Sequence, residues 1–507
     1  MVNWIAGWKP GVGPVMKVMK YDSDDPMTVA NTAYDRFYFN SETSHLSYAW
    51  DHFQVNNLND STYPIGNYAL SGGGLSTTKW GLSTYMRGTS SSIRRDLVYF
   101  HTRDPGLNMM PLVETRVGGA DGRVEIMHNY PTWTDNSWVT SISNNAIACY
   151  VYPTTSTGFD FQRLDPAFGH EGWCVKANNG ASGYSADIVG DQAFLTSMIW
   201  DLPADNTAIP KPTGTPIAGQ LALAIEPSRV VMARPGFSVD GSSGRQRILD
   251  SDRSPVKCVM MGETPLISPG TSYFHPKTVD FDLETTMVCD TICSMNGWDY
   301  SIPVVDLDPS YRTTHDIARY RVEAGGIRFW VEGKYPVKVR FMLYATGIAG
   351  RTTGGSQTMR KLDNGHIQIK RPGSSDTAPG YNDILLDTRF PALTVIDEGW
   401  IPLSSFSSAN IVSWRYGKVA ARVNFNPSGL FIFPKVAGHF QTAIRQGQHE
   451  LRVHLGGGQE VARFSMATVV RSDHIVIHLS PGNYSGPGAS LPDPLGVRYY
   501  ILGAATI

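Results

Sequence analysis

Charge is scarce in this sequence. Asp, Glu, Lys and Arg make up 17% of its 507 residues, against about 25% in an ordinary soluble domain. What charge there is nearly cancels, with 43 basic and 45 acidic residues. No basic stripe runs through the chain, so the electrostatic footprint of a nucleic-acid binder is missing. No apolar run approaches the roughly 18 residues that a membrane-spanning helix needs. The opening MVNWIAGWKPGVG has neither a basic start nor an apolar core, so it does not read as a signal peptide. The expectation is a soluble protein made in the cytoplasm.

Cysteine is also sparse. Five residues (Cys149, Cys174, Cys258, Cys289 and Cys293) form an odd set on scattered positions. Cys289 and Cys293 make a C-x-x-x-C without the second pair or the histidines of a zinc site. In an extended strand two such residues face the same way but lie about 13 Å apart. Free, buried thiols are expected.

Catalytic signatures are missing as well. There is no Gly-x-Ser-x-Gly elbow, Walker loop, His-Glu-x-x-His or Rossmann fingerprint. The glycine clusters at Gly72–Gly74 and Gly456–Gly458 read as hairpin tips. Asp22, Asp24 and Asp25 alternate as calcium ligands can, but the loop lacks the central glycine and terminal glutamate such a site uses. A solvated turn before Pro26 is the plainer reading. Asp250 with Asp252, and Asp387, could be imagined as an acid–base pair; their recurrence at a repeated corner argues for a structural role instead. No catalytic residue, metal ligand or cofactor is expected.

What the chain has in abundance is aromatic and turn chemistry: 11% aromatics, 23 Tyr, 50 Gly and 32 Pro. That composition predicts an all-β fold of tandem β-sandwich or jelly-roll-like modules with few short helices. The best helix candidate, Gly438–Arg445, is short. Strands such as Val337–Leu343 alternate apolar with basic residues, giving one buried and one solvated face.

An internal repeat organises the whole. Residues 233–257 and 370–394 align without a gap at an offset of 137, sharing Arg234/Arg371, Pro235/Pro372, Gly236/Gly373, Ser238/Ser375, Leu249/Leu386 and Asp250/Asp387. A looser copy opens the chain at Lys17–Pro26 and Phe39–Tyr48, with Asn40-Ser41-Glu42 against Asp250-Ser251-Asp252. Each copy reads as strand, turn, strand, Asx corner, strand. Val339–Leu343 and Val497–Ile501 resemble each other as module ends, and Ile147–Tyr152 fills that place in the first module. The expected organisation is an extension (1–13), module one (14–153), a connecting region (154–227), module two (228–346), a linker (347–365) and module three (366–507).

Two stretches stand out as contact candidates. Asn129–Trp138 holds Tyr130, Trp133 and Trp138 among small polar residues, and 72–103 carries Trp80; both read as loops. Such a composition suits a subunit interface, a glycan contact or ordinary packing.

The repeated unit resembles one found in tail-tip and related virion proteins of tailed, siphovirus-like bacteriophages. In that unit Lys-Val-x-(Lys/Arg)-Pro-Gly-(Tyr/Phe)-x-Val is followed, about ten residues on, by an apolar step, Ser/Asp-Ser-Asp and Leu-Lys-(Ile/Val). Here Val231–Val239, Ile248–Asp252 and Val256-Lys257 carry it. The third copy keeps Arg371-Pro372-Gly373 and Leu386-Asp387-Thr388 without the aromatic, and the first lacks Pro-Gly. The resemblance implies a virion structural role, most simply a tail-tip or fibre-associated protein, and no catalytic residues. It also implies β-sandwich modules and assembly as a ring or trimer. The expected partners are further copies of the chain, as a homo-oligomer (a trimer favoured), and other tail proteins, with a host-surface glycan as a candidate ligand. The alternatives are a carbohydrate-binding module protein, and a neck or decoration protein of the same construction.

Overall fold

A computed structural model describes residues 3–505 apart from 44, 57–66, 70–79, 88–93, 103–110, 127, 135–136, 144–146, 153–171, 181–191, 210–213, 279–280, 298, 303–317, 333–334, 347–350, 363–364, 391–392, 409–418, 428, 441–442, 447–448, 456–458 and 481–493. In 67–102, 128–152, 172–180 and 439–465 it describes the backbone alone. The fold is all-β, and among the described residues helix is confined to single 3-10 turns.

Each copy of the repeat folds into the same three-stranded antiparallel unit. An edge strand (Trp4–Lys9, Leu223–Ile225, Met359–Lys361) pairs with a second strand (Gly13–Met19, Val230–Ala233, Ile367–Lys370). The second pairs with a third (Phe37–Asn40, Arg247–Asp250, Ile384–Asp387). A 3-10 turn precedes each third strand: Tyr34–Arg36, Gly244–Gln246 and Tyr381–Asp383. Even the irregularity recurs, since each pairing skips one residue of the third strand (Tyr38, Ile248 or Leu385) at the same place. A bulge increases local twist and is a built-in feature; here it lets the third strand curl over a shared core.

The corners are alike atom by atom. The amides of Glu42, Asp252 and Arg389 each donate 3.0 Å to the side-chain oxygen two residues back, on Asn40, Asp250 and Asp387. The next hydroxyl, Ser41, Ser251 or Thr388, accepts from the amide of Met16, Val230 or Ile367 at 2.8–3.0 Å. An Asx side chain followed by a hydroxyl thus ties the corner to the second strand and fixes where the chain leaves the hairpin. Asp387 also holds Arg389 at 2.7 Å and is fully buried.

The Pro-Gly turns are likewise equivalent. Gly236 and Gly373 have φ of +81° and +76°. The amides of Phe237 and Ser374 return to the carbonyls of Arg234 and Arg371 at 3.1 and 3.3 Å. Proline presets the first central φ and glycine supplies the positive one. A Cβ on Gly236 would also fall 2.6 Å from Gly214 Cα, so that turn is closed to other residues twice over.

After its corner, each module builds a sheet in the same order. An opening strand (Tyr48–Asn56, Lys257–Glu263, Thr394–Pro402) pairs with a closing strand (Gln192–Pro203, Val337–Ala345, Pro494–Ala504). The closing strand pairs with a middle strand (Pro111–Gly119, Val288–Met295, Phe431–Phe440). A short link strand then carries each sheet into the next module. Val124–Glu125 pairs with Ala318–Glu323, Tyr300–Ile302 with Gln459–Val470, and Ala443–Gln446 with Ile147–Tyr152. One leads to two, two to three, and three back to one. The chain is a closed ring of three modules with pseudo-threefold symmetry.

Several boundaries differ from those expected. The closing strand of the first module is Gln192–Pro203, which lies inside 154–227. Ile147–Tyr152 instead pairs with Gly172–Gly180 and with the third module. Both segments carry continuous apolar runs, so hydrophobic pattern alone does not separate a closing strand from a seam strand. Parts of 1–13, 154–227 and 347–365 supply the edge strands. Gly438–Arg445 is a β-hairpin rather than a helix, because His439 pairs with Ile444 and Gly438 with Arg445.

Asp250→Ala and Asp387→Ala should each lower unfolding free energy by about 0.5–2 kcal/mol, the scale of a lost capping side chain, with Asp387 at the upper end. Urea denaturation checks this; an unchanged midpoint for either would remove the corner's structural role.

Candidate functional site: a buried ionic cluster where the modules meet

Register shows which residues of the three middle strands are equivalent. Glu114 lies opposite Met198, Asp290 opposite Met342, and Lys435 opposite Tyr500, each at the same step of its closing strand from the recurring bulge near the opening strand. These three side chains are all buried and meet one another. Lys435 Nζ donates to Glu114 Oε1 at 2.6 Å and also pairs with Asp290. Three equivalent positions joined through Lys435 surround the pseudo-threefold axis, so the cluster lies on it.

Neighbouring groups complete the set. Arg116, two residues along from Glu114, donates to Asp290 Oδ1 at 2.8 Å and to the Cys289 carbonyl at 3.1 Å. Trp200 Nε1 donates to Glu114 Oε2, and Tyr344 OH to Asp290 Oδ2, both at 2.9 Å. The Lys435 ammonium sits 4.6 Å from the Trp200 ring centre and 5.2 Å from that of Tyr344. Two carboxylates thus face two cations.

The electrostatics follow from burial. Desolvation raises the Glu114 carboxyl above its usual range, and nearby Asp290 adds to the effect. Burial would raise Asp290 as well, but Lys435 and Arg116 together bring it below its ordinary value. Burial works against the Arg116 charge, which Glu114 and Asp290 more than restore. Taking such charges out of water costs several kcal/mol per ion and is tolerable only with complete pairing. Among the described residues the cluster is walled by core side chains such as Met198, Met342 and Tyr500. Its chemistry is to pin three strands from three modules to one point.

The arginines before the Pro-Gly turns hold the outer seams. Arg234 Nη1 donates to the Ser41 carbonyl of the first corner at 3.2 Å, and Arg371 Nη2 to the Arg253 carbonyl of the second at 2.9 Å. Each also ties down its own 3-10 turn, through the carbonyl of Arg245 at 2.8 Å or of Asn382 at 2.6 Å. Burial lowers both guanidinium groups to about 10. Two further buried groups sit on seams. His52 Nδ1 lies 2.7 Å from Thr346 Oγ1, between modules one and two, and burial pulls its imidazole to about 4. Lys257 lies beside Arg371, Asp387 and Asp383 of module three; burial and then Arg371 lower it to about 7.

The residues singled out from sequence fall as follows. Arg234, Pro235, Gly236, Asp250 and their partners Arg371, Pro372, Gly373 and Asp387 form the turns and corners described above. Asp24 pairs with Arg36, and Asp25 accepts from the Met27 amide at 2.9 Å. Among the described residues no group of three or more His, Cys, Asp or Glu could hold a metal ion. Cys258, Cys289 and Cys293 are buried thiols outside any disulfide. Tyr130, Trp133 and Trp138 lie not in a loop but in a hairpin, His128–Thr134 with Ser137–Ser143, in which Trp133 faces Trp138. Trp80 opens the strand Trp80–Arg87. Strand-favouring Trp, Tyr, Thr and Val outweigh the small polar residues there. The side chains of these four aromatics lie outside the described residues.

Glu114, Arg116, Asp290 and Lys435 were not anticipated. Their signal is a charge in an otherwise apolar strand, as in Val288-Cys289-Asp290-Thr291-Ile292 and Phe433-Pro434-Lys435-Val436. Compared with known proteins, the chain matches no family model, no curated protein and no solved structure.

Lys435→Met leaves two buried carboxylates short of a cation and should cost about 3–5 kcal/mol, read by urea denaturation at neutral pH. Adding Glu114→Gln, which leaves Asp290 to balance Arg116, should restore much of it, whereas a simple loss of lysine packing would not be rescued this way. Stability should also rise with pH in two windows. Between about 4 and 6.5 the unfolded His52 binds a proton that the folded one does not; between about 7 and 10.5 the same holds for Lys257. Lys257→Met should flatten the upper rise in a pH series of denaturation curves, and His52→Gln the lower one.

Proposed function

We propose that this chain is a structural protein of a tailed-bacteriophage virion, a tail-tip or fibre-associated component that works by assembly rather than turnover. One observation carries the reading: the arginine of the repeated Arg-Pro-Gly unit reaches across a module boundary in both copies that possess it. The residues that carry the family resemblance are therefore spent on joining modules. The buried cluster of Glu114, Arg116, Asp290 and Lys435 serves the same end. Threefold closure is present within one chain, and the partners proposed for it are other tail proteins. The aromatic hairpin His128–Ser143, appended to the third module through Ser137–Ser143 and His449–Leu455, is the element proposed to meet a neighbouring protein or a host-surface glycan.

Quantitative mass spectrometry of purified virions should find the chain at a fixed low copy number, and cryo-electron microscopy should place it on the tail. Its absence from particles, with the chain recovered only in soluble fractions, would overturn the proposal.

A further inference from the structure

The three edge strands share an unusual property. Trp4 pairs with Val18, Leu223 with Met232 and Met359 with Ile369, and those three partners are equivalent by the hairpin register. Trp4, Leu223 and Met359 are therefore equivalent as well. All three are large, apolar and exposed, at 44%, 36% and 37%. Trp8, Leu221 and Ile225 extend the same apolar character along two of the edges. Among the described residues each edge strand pairs on one side only.

Directly paired residues of an antiparallel sheet project to the same face. Val18, Met232 and Ile369 belong to one core shared by all three hairpins, with Phe39, Leu249 and Leu386. The apolar surface of this inter-module interface thus runs outward without a break to three exposed rim positions. Single exposed apolar residues are commonplace. The same exposure at three symmetry-equivalent edges, continuous with an interface already formed, is not.

We infer that the three edges form one docking face, read by a protein assembly of matching threefold symmetry seated on the pseudo-threefold axis, with one copy of this chain per axis. The inference rests on the virion reading and names the kind of partner it requires. Symmetry selects the occupant. A single asymmetric partner would cover one edge and leave two exposed, whereas a threefold partner covers all three at equal radius. Each edge offers main-chain groups for strand addition and an apolar side chain for a pocket. Linking three such contacts multiplies weak affinities by effective concentration.

The test compares full-length chains carrying Trp4→Ser, Leu223→Ser or Met359→Ser, singly and together, supplied in place of the wild type during phage growth. Because the sites are exposed, melting should be unchanged. Copies per virion, counted by mass spectrometry, should fall modestly for each single variant and by about tenfold or more for the triple, the avidity scale. Reconstruction of wild-type virions should show one chain on a threefold axis with these residues at the contact. Wild-type incorporation of the triple variant, or an off-axis position, would overturn the inference while leaving the virion reading intact. Mass photometry showing a wild-type dimer that the triple variant abolishes would assign the face to a second copy and likewise overturn it. Absence of the wild-type chain from virions would remove both readings.

Discussion

Where three equivalent strands meet on an axis, one buried position is presented three times, and that constraint shapes the rest of the molecule. Three glutamates there would repel in a low-dielectric interior, and so would three lysines. Glu114, Asp290 and Lys435, with Arg116 alongside, form instead a set in which every charge has a partner. This arrangement has an order. Replacing module three with a copy of module one or two would put three carboxylates at the axis, so the cluster selects which modules meet there. Its contribution is to specificity as much as to stability, since a buried ion pair seldom outperforms a well-packed apolar core.

The seams repeat the logic with softer chemistry. Link strands continue each sheet into the next module, which leaves no free edge at those boundaries and removes a site for wrong pairing. Arg234 and Arg371 then clamp the corners from outside. A guanidinium suits this because its rigid fork can bond two carbonyls of different modules at once. The corner itself is the hub. Its Asx cap fixes the exit of the chain, its hydroxyl fixes the second strand, and its carbonyls receive the neighbour's arginine.

How much of this the sequence disclosed depends on whether a position is governed by local or by collective chemistry. Pro235-Gly236, Asp250 and their counterparts were legible because a turn or an Asx corner needs the same residue type wherever it recurs. The all-β class was legible from composition and alternation. The closing strand of module one was not, since Ile147–Tyr152 is as apolar a run as any in Gln192–Pro203, and only pairing tells them apart. The axis cluster was hidden for the opposite reason to the corners. Its members are equivalent because they differ, so a search for repeated identities passes over them.

A covalent ring is also freed from the identity that a true trimer imposes on its subunits. The corners, bulges and edge strands have stayed alike, which keeps one end of the molecule threefold in character. Elsewhere the modules have diverged: among the described residues, the hairpin of His128–Thr134 and Ser137–Ser143 of module one adds to a strand of another module, His449–Leu455 of module three, with no counterpart at the other two seams. Symmetric contacts and a one-off appendage thus coexist in a single chain. A homotrimer would have to carry such an appendage three times or not at all. Breaking the symmetry at the axis, where charge forbids identity, is what permits it to be broken usefully at the surface.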